Sequence, residues 1–261
     1  MAELNYIDLF AGAGGLSEGF IQAGFNPIAH VEMDEAACFS LKTRVAYHYL
    51  KANNKLEHYV SYLKGDINRS ELYDHIPDTF LDSVINLSIG ANNNDKIHRQ
   101  IQKLLGENEV DLIIGGPPCQ AYSLVGRSRS ETNMNGDPRN YLYVQYAKYL
   151  EKYQPKMFVF ENVIGLKSAK GGIYLKNMEK LFFKKGYKMQ LFTVEANQFG
   201  VLQNRKRIII IGWKVDFLPI IPNLEKINTY FPFQVREIFS DLPFLQAGEG
   251  VNNIFSIIAK S

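Results

Sequence analysis

Short apolar runs recur along the first 215 residues, and segments with the three- and four-residue spacing of amphipathic helices separate them. The apolar runs predict strands at residues 4–10, 26–31, 58–63, 110–115, 157–161, 188–195 and 207–213. The intervening segments predict helices at residues 16–23, 34–50, 95–105, 141–153 and 173–185. Strands that alternate with helices indicate a Rossmann-like α/β fold, with a doubly wound, mostly parallel sheet covered on both faces.

The pattern changes after residue 215, where prolines interrupt it and only residues 235–239 have helical spacing. We therefore expect one domain over residues 1–215 and an exit segment over residues 216–261. Residues 68–109 contain polar turns and a single predicted helix, and we interpret them as an insertion between the third and fourth strands.

Composition adds few constraints. Of the 261 residues, 46% are hydrophobic and 21% are charged, as in ordinary globular proteins. The net charge of +2 does not by itself indicate a nucleic-acid partner, so a DNA-binding surface would have to be local. The two cysteines, Cys38 and Cys119, form neither a disulfide framework nor a zinc-ligand pattern, and we predict no metal. Without a basic leader or an apolar run of ~20 residues, we expect a cytoplasmic protein with no membrane partner.

Three predicted strands end in residues that suit an adenosine ligand. A glycine turn with Gly12, Gly14 and Gly15 follows the first strand, but the third glycine of a dinucleotide fingerprint is replaced by Ser17. Glu32 ends the second strand, where a carboxylate can accept both ribose hydroxyls. Asp66 follows the predicted third strand and can accept the amino group of adenine. An adenosine site without a pyrophosphate cradle favours S-adenosylmethionine over NAD.

A cysteine follows the predicted fourth strand in an unusual setting. Gly115-Gly116 ends that strand, and Pro117-Pro118 stiffens the chain immediately before Cys119. Ligands of open α/β sheets bind beyond the carboxyl ends of the strands, so this thiol would lie at the rim of a cleft. A small buried apolar residue is the alternative, but a Gly-Gly-Pro-Pro segment is poorly suited to a core.

Four segments together resemble the DNA (cytosine-5)-methyltransferases of bacterial restriction-modification systems. They are Asp8-Leu9-Phe10-Ala11-Gly12-Ala13-Gly14-Gly15, Gly116-Pro117-Pro118-Cys119-Gln120 with Ser123, Glu161-Asn162-Val163 and Gln203-Asn204-Arg205-Lys206-Arg207. The basic triplet alone could be a solvated strand end, and Glu161 alone a strand terminus. All four segments also occur in the order of that family, which chance does not readily produce.

The resemblance implies methyl transfer from S-adenosylmethionine to C5 of a flipped cytosine, with S-adenosylhomocysteine as product. Cys119 would add to C6 of the base, because C5 is a poor nucleophile until a thiolate has added. Glu161, at the end of a buried strand, would supply a proton to N3. Arg205 and Arg207 lie two apart in an extended segment, so both can face one acceptor, or one acceptor and Glu161.

The resemblance also implies the binding residues. The expected cofactor contacts are Phe10, Gly12, Gly14, Gly15, Leu16, Glu32, Met33, Asp66, Ile67, Gly116, Pro118, Asn140 and Leu142. The loop after Cys119 could close over the flipped base while its arginines contact phosphates. The expected contacts with double-stranded DNA are Gln120, Ser123, Arg127, Arg129 and Gln203. A protein of this kind would associate with the nucleoid.

The end of the chain departs from the family pattern. The family core is usually followed by a target-recognition region and a final motif that packs beside the first strand. Residues 235–238 and 241–243 resemble the sequence that precedes this region, and the chain then ends at Ser261. Three explanations stay open: a truncated chain, a degenerate product, or a split enzyme whose second polypeptide carries the missing parts. We expect a chain that is weak or inactive alone.

Other functions also stay open. A tRNA cytosine-5 methyltransferase shares Pro-Pro-Cys-Gln, although Ser123 and residues 137–142 favour DNA. A non-catalytic subunit that binds nucleic acid or a partner protein would retain the fold, but the intact Cys119, Glu161, Arg205 and Arg207 argue against lost chemistry. A nicotinamide oxidoreductase is the least favoured alternative, because the glycine fingerprint fails.

Overall fold

The structure is a computed structural model that describes residues 4–118, 141–220, 235–240 and 242. In these residues seven strands form one sheet in the order β3-β2-β1-β4-β5-β7-β6. Strands β1 to β5 are parallel, whereas β7 runs antiparallel to both β5 and β6. The strands are β1 Asn5–Leu9, β2 Asn26–Glu32, β3 Val84–Asn86, β4 Leu112–Gly115, β5 Met157–Asn162, β6 Tyr187–Glu195 and β7 Lys206–Lys214.

Helices cover both faces of the sheet. Those of the described ranges are α1 Gly15–Gln22, α2 Glu35–Ala52, α3 Leu56–Lys64, α4 Arg69–Tyr73, α5 Asp78–Leu81, α6 Asn94–Leu105, α7 Leu142–Tyr153, α8 Ile173–Lys184 and α9 Val235–Ile238. Short 3₁₀ turns lie at Ile164–Lys167, Ala169–Gly172 and Ala196–Phe199. The predicted α/β class, with a mostly parallel, doubly wound sheet, is confirmed.

The central strands are apolar because both of their faces are buried. Ile7 and Leu9 of β1 belong to the main core, together with residues of α6, α7 and α8. Tyr6 faces the opposite side, in a cluster with Leu112 and Ile114 against which α1 packs. This arrangement fixes the carboxyl ends of β1, β2, β4 and β5 at one edge of the sheet.

The predicted third strand at residues 58–63 is wrong, because this segment lies within helix α3. Leu56, Tyr59 and Tyr62 are spaced three residues apart, and they pack against a helical cluster built on Ala46 and Leu50 of α2. Tyrosine and valine suit a strand by propensity, but tertiary packing on one helix face decides the structure here.

The interpretation of residues 68–109 as an insertion between the third and fourth strands is also wrong. This stretch contains the true third strand, β3, and helix α6, whose Ile97, Ile101 and Leu105 are buried in the main core. The segment therefore completes the sheet and one of its helical layers. The boundary between the domain of residues 1–215 and the exit segment stays a prediction.

Candidate active site

The loop after β1 turns the chain into α1 through left-handed backbone conformations. Phe10, Gly12 and Gly14 have φ angles of 59°, 54° and 82°. Glycine adopts such angles freely, whereas a side chain as large as phenylalanine does so at a cost of order 1–2 kcal/mol. Strained residues of this kind concentrate at ligand sites. Helix α1 begins at Gly15, and its N-cap residue Gly14 has no side chain to bond the first backbone N–H groups, which leaves them available at this edge.

Space for a ligand is present beside two of the three glycines. A Cβ atom added to Gly12 or Gly15 would meet no other atom within 4 Å, whereas one added to Gly14 would lie 2.8 Å from Leu41 Cδ2. Gly14 is therefore required by packing against α2. Gly12 and Gly15 leave the backbone open to close approach by another molecule.

Glu32, at the end of β2, is held next to this loop. Its Oε2 accepts a hydrogen bond from the Gly12 N–H at 2.8 Å. Its Oε1 accepts from the N–H groups of Met33 at 2.7 Å and Asp34 at 2.9 Å. The carboxylate is thus fixed between the glycine loop and the start of α2, beside the exposed Met33.

The third strand ends in Asn86, which sequence reasoning missed. Asn86 lies opposite Glu32 in the parallel register of β2 and β3. Its Nδ2 donates to the backbone carbonyls of Glu32 at 3.2 Å and Met33 at 3.1 Å. The Asn86 side chain is exposed at this edge of the sheet. The available signal was the apolar pair Val84-Ile85 immediately before an amide.

Asp66 and Ile67 do not end a strand, which corrects the premise on which they were predicted to contact adenine. The Asp66 N–H donates to the Ser61 carbonyl at the end of α3, at 2.9 Å. Ile67 packs with the helical cluster of α2 to α5. At the sheet edge, the end of β3 takes the position that was expected for Asp66.

The end of β4 lies tightly against its two neighbouring strands. A Cβ added to Gly115 would lie 2.2 Å from the Leu9 carbonyl oxygen, and one added to Gly116 would lie 2.8 Å from Glu161 Oε2. The buried Asn162 donates from Nδ2 to the Pro117 carbonyl at 3.2 Å. The chain that leads to residue 119 is therefore anchored to the end of β5.

Glu161 and Arg207 form an ion pair at the same edge. Arg207 Nε lies 2.9 Å from Glu161 Oε1, and the two side chains are 24% and 29% exposed. Arg207 Nη1 also donates to the Lys206 carbonyl at 2.8 Å. Arg205 has an exposed side chain with no polar partner among the described residues, and its carbonyl accepts from the Ala196 N–H at 2.9 Å. The structure thus brings Arg207, but not Arg205, to Glu161.

Several of the predicted site residues lie outside the described residues: Cys119, Gln120, Ser123, Arg127, Arg129 and Asn140. Of the others, Leu16 and Leu142 are half-buried in the first turns of α1 and α7, and Pro118 is half-buried beyond β4. Gln203 lies exposed in the turn before β7.

Two buried titratable side chains lie next to each other behind the glycine loop. Asp8 of β1 and His30 of β2 are opposite each other in the sheet, with Asp8 Oδ2 3.6 Å from His30 Nδ1. Both side chains are almost fully buried, and these two atoms have no hydrogen-bond partner in the described part of the chain. Burial raises the pKa of Asp8, and the neighbouring His30 partly offsets this effect.

The family model for C-5 cytosine-specific DNA methylases matches residues 4–67 and 83–251. The chain belongs to this family. The match omits residues 68–82, which span helices α4 and α5, so the part outside the family pattern is shorter than the predicted insertion. It includes each of the segments on which the resemblance was based.

Curated relatives agree with this assignment. The chain is 39% identical to the type II methyltransferase M.Bpa9945I of Bacillus paralicheniformis, over 94% of this chain and 62% of the relative. It is 33% identical to the type II methyltransferase M.DdeI of Desulfomicrobium norvegicum, over 95% of this chain and 50% of the relative. The chain therefore spans about half to three fifths of the length of these relatives.

Two solved structures share the fold. A protein described as a DNA modification methyltransferase encoded within an E. coli prophage superposes with a TM-score of 0.60, at 24% identity over 93% of this chain and 56% of that chain. The Entamoeba histolytica methyltransferase EhMeth gives 0.53, at 18% identity over 88% of this chain and 58% of that chain.

The described residues contain neither a membrane-spanning helix nor a metal-binding cluster. None of their helices combines the length and apolar character needed to cross a membrane. No group of three or more His, Cys, Asp or Glu side chains in the same residues could hold a metal ion.

Proposed function

We propose that this chain is the catalytic region of a DNA cytosine-5 methyltransferase that uses S-adenosylmethionine. The observation that carries the proposal is the Glu161–Arg207 ion pair at 2.9 Å, formed against Gly116, three residues before Cys119. Three of the four segments that resemble the family thereby meet at one edge of the sheet, where the fourth segment forms the glycine loop.

The residues at that edge fit the cofactor, which supplies an electrophilic methyl group on a sulfonium when it is bound. The open backbone of Gly12 and Gly15 permits close approach, and Glu32 can accept from ribose hydroxyls. Asn86 replaces Asp66 in our proposal for adenine, because its Nδ2 is held by backbone carbonyls and its exposed Oδ1 can accept from the adenine amino group. Phe10, Gly14, Leu16, Met33, Gly116, Pro118, Asn140 and Leu142 complete the proposed set.

The reacting groups of the chain act on the cytosine ring. The Cys119 thiolate forms a bond to C6, and the ring electrons then allow C5 to attack the methyl carbon. Glu161 donates a proton to N3 as negative charge develops on the ring, and Arg207 orients its carboxyl group. Arg205 is available to contact O2. Loss of the C5 proton to water, return of the N3 proton to Glu161 and cleavage of the sulfur–C6 bond then restore the aromatic ring and the Cys119 thiolate.

Duplex DNA is the proposed substrate, with Gln120, Ser123, Arg127, Arg129 and Gln203 as its contacts. Relatives named as type II methyltransferases support DNA over tRNA. Restriction-modification enzymes act in the cytoplasm on the nucleoid, where we propose that this chain works.

An apolar groove supports the proposal that a further segment completes the enzyme. The groove has a volume of about 660 Å³ on the α1 face of the sheet, and no described residue covers it. Its walls are almost entirely apolar, and include Leu16, Phe20, Met157, Val159, Ile209 and Ile211. We propose that the target-recognition region and the closing segment, on a longer form of this chain or on a second polypeptide, cover it. The chain as given would then be weak alone.

The test is covalent trapping on duplex DNA that contains 5-fluorocytosine, with labelled S-adenosylmethionine. Fluorine at C5 cannot leave as a proton does, so the sulfur–C6 bond persists and the protein migrates with the labelled DNA. Cys119→Ala should abolish the adduct and retain binding of S-adenosylhomocysteine. Cys38 is not expected to substitute, because burial raises the pKa of its thiol.

The reaction is run with duplex DNA and tRNA, and with the chain alone and the chain extended to the full length of its relatives. Labelling of DNA by the extended chain supports the proposal, and labelling of tRNA alone would overturn the substrate. If the extended chain forms no adduct on either nucleic acid, the chain is a non-catalytic subunit. Normal turnover by the chain alone would contradict the proposed dependence on a further segment.

A further inference from the structure

A second pocket lies on the helical side of the molecule, and one of its lining residues, Arg44, packs behind the glycine loop at Gly14. It has a volume of about 580 Å³, within the range of small-molecule sites. Helix α2 supplies one wall, α3 the opposite wall, and α1 and α4 contribute one residue each. Helix α4 belongs to residues 68–82, which the family model does not match, so Arg69 is the lining residue that this model leaves out.

Aromatic rings form much of the pocket wall. The rings of Tyr47 and Tyr59 lie 5.2 Å apart, and those of Tyr59 and Tyr62 lie 6.3 Å apart. All three side chains are half-buried, and among the described residues none of the three hydroxyl groups has a hydrogen-bond partner. The pocket therefore combines flat apolar surfaces with free phenol groups.

Positive charge at the pocket is only partly neutralised. Arg44 Nη1 lies 3.2 Å from Glu18 Oε2, and His48 Nε2 lies 3.0 Å from the same oxygen, so this acid already has partners. The Arg69 guanidinium stacks on the Phe39 ring, with its carbon 3.5 Å from the ring centre. No carboxylate of the described chain pairs with it. A stacked guanidinium keeps its in-plane N–H groups free, in the fork geometry that suits phosphate.

We propose that this pocket binds a nucleotide, with the base on the tyrosine rings and the phosphate on Arg69. Aromatic rings beside an unpaired arginine are the combination that binds single nucleotides and unpaired nucleotides of a strand. Either a free nucleotide or one nucleotide of single-stranded DNA supplies this chemistry. The inference does not depend on methyl transfer, because the pocket shares no residue with the proposed catalytic and cofactor sites.

The test measures fluorescence anisotropy of two probes, a fluorescent adenosine monophosphate and a fluorescein-labelled ten-residue oligothymidylate. Saturating S-adenosylhomocysteine is present throughout, so that the adenine site proposed above does not bind the probes. Arg69→Gln removes the charge and Tyr59→Leu removes the ring face but keeps an apolar contact with α2. Lys64→Gln is the matched control, because Lys64 is exposed at the end of α3 and does not line the pocket.

We expect each pocket variant to raise the dissociation constant about tenfold, as loss of one stacked base or one phosphate contact does, and the control to stay within about twofold. Binding of both probes identifies a free-nucleotide site, and binding of the oligonucleotide alone identifies a strand site. Equal binding by wild type and both pocket variants would overturn the proposal. An equal loss in Lys64→Gln, or equal competition by an acidic peptide, would also overturn it by showing a general attraction of anions.

Discussion

Glu161 is the residue whose surroundings say most about the proposed chemistry. Its Oε1 is paired with Arg207 and its Oε2 lies against the backbone of Gly116, so the carboxyl group has little freedom to reorient. A group held in this way can act on a base placed beside it without a further loss of its own conformational entropy. The fixed position beside the base and the proposed proton transfer are therefore both properties of the Glu161 carboxyl group.

Glu161→Gln should lower the rate of methyl transfer by roughly 10²–10⁴, the range for a positioned proton donor, and leave S-adenosylhomocysteine binding nearly unchanged. Single-turnover transfer from labelled cofactor to duplex DNA, with the extended chain, measures the effect. Glu179→Gln, on the exposed side of α8, is the control for a lost surface charge. An unchanged rate in Glu161→Gln would assign N3 protonation to another group.

Among the elements, strand β3 is the one on which the proposed adenine contact depends. The sequence predicted the third strand at residues 58–63. The adenine contact was assigned to Asp66 because Asp66 follows that segment. The structure instead ends the third strand at Asn86, level with Glu32.

Two variants separate these alternatives. Asn86→Ala should raise the dissociation constant of S-adenosylhomocysteine about tenfold, because one buried hydrogen bond is worth ~1.4 kcal/mol at this scale. Asp66→Asn should leave it unchanged, since Asp66 lies at the end of α3. Calorimetric titration of both proteins gives the comparison. A loss confined to the Asp66 variant would restore the original interpretation.

Helices α6 and α7 meet at a histidine that should make stability depend on pH. His98 Nδ1 lies 2.9 Å from the Tyr153 hydroxyl, and burial, aided by Lys152, lowers the pKa of His98 to about 4. In the unfolded chain the same imidazole titrates near 6.5. Between these values the unfolded state takes up a proton that the folded state does not, so the free energy of unfolding falls as pH decreases from 6.5 to 4.

His98→Gln should therefore lose less stability than wild type when urea unfolding is compared at pH 7.5 and pH 5. The reason is that glutamine keeps a polar group near Tyr153 and does not titrate. His58→Gln serves as a control, because the His58 ring lies on α3, stacked on His75 and away from Tyr153. Identical pH dependence in wild type and His98→Gln would remove His98 as the cause.

The sequence predicted the fold well where a segment has one strong pattern. Residues 112–114 and 157–160 are continuous apolar runs, and both lie in central strands flanked on each side. It predicted α2 from the cap at Asp34, whose side chain accepts from the Ala37 N–H at 2.8 Å. It failed at β3, where Val84-Ile85 is too short to be distinguished from a loop, and at α3, where β-prone tyrosines pack as a helix face.

Individual residues of the candidate site were predictable only where they belong to a sequence motif. The contact between Glu161 and Arg207 was predicted as one of two possibilities: both arginines could face one acceptor, or they could face one acceptor and Glu161. The structural part played by Asn162 was not, because its bond to the Pro117 carbonyl joins segments 45 residues apart. Long-range hydrogen bonds of this kind leave no periodic signal in the sequence.

For the whole molecule, the apolar groove on the α1 face is the feature that most affects behaviour in solution. Contiguous apolar patches on monomers are usually interaction sites, and otherwise promote association. The groove opens on the face of β1, β4, β5 and β7 that α1 covers only in part. A chain with this surface exposed should bind apolar probes.

The chain alone should bind an apolar naphthalene sulfonate dye, and Val194→Lys, which places a charge in the groove, should reduce the dye fluorescence by roughly half. Thr193→Lys is the control, since Thr193 is the neighbouring exposed residue of β6 and does not line the groove. The form extended to full length should bind little dye. Equal fluorescence from the two lysine variants would show that the dye binds elsewhere.

Strand β7 runs antiparallel to β5. This direction limits where insertions and deletions can be accepted during evolution. The carboxyl end of β5 and the amino end of β7 share one edge, so the arginine enters the site from the beginning of a strand. Extra residues in the turn before Lys206 would shift nothing in the sheet. A single residue gained inside β7 would rotate Arg207 to the other face and separate it from Glu161. Among related proteins, insertions and deletions should therefore be found in the turn before Lys206 and not within β7.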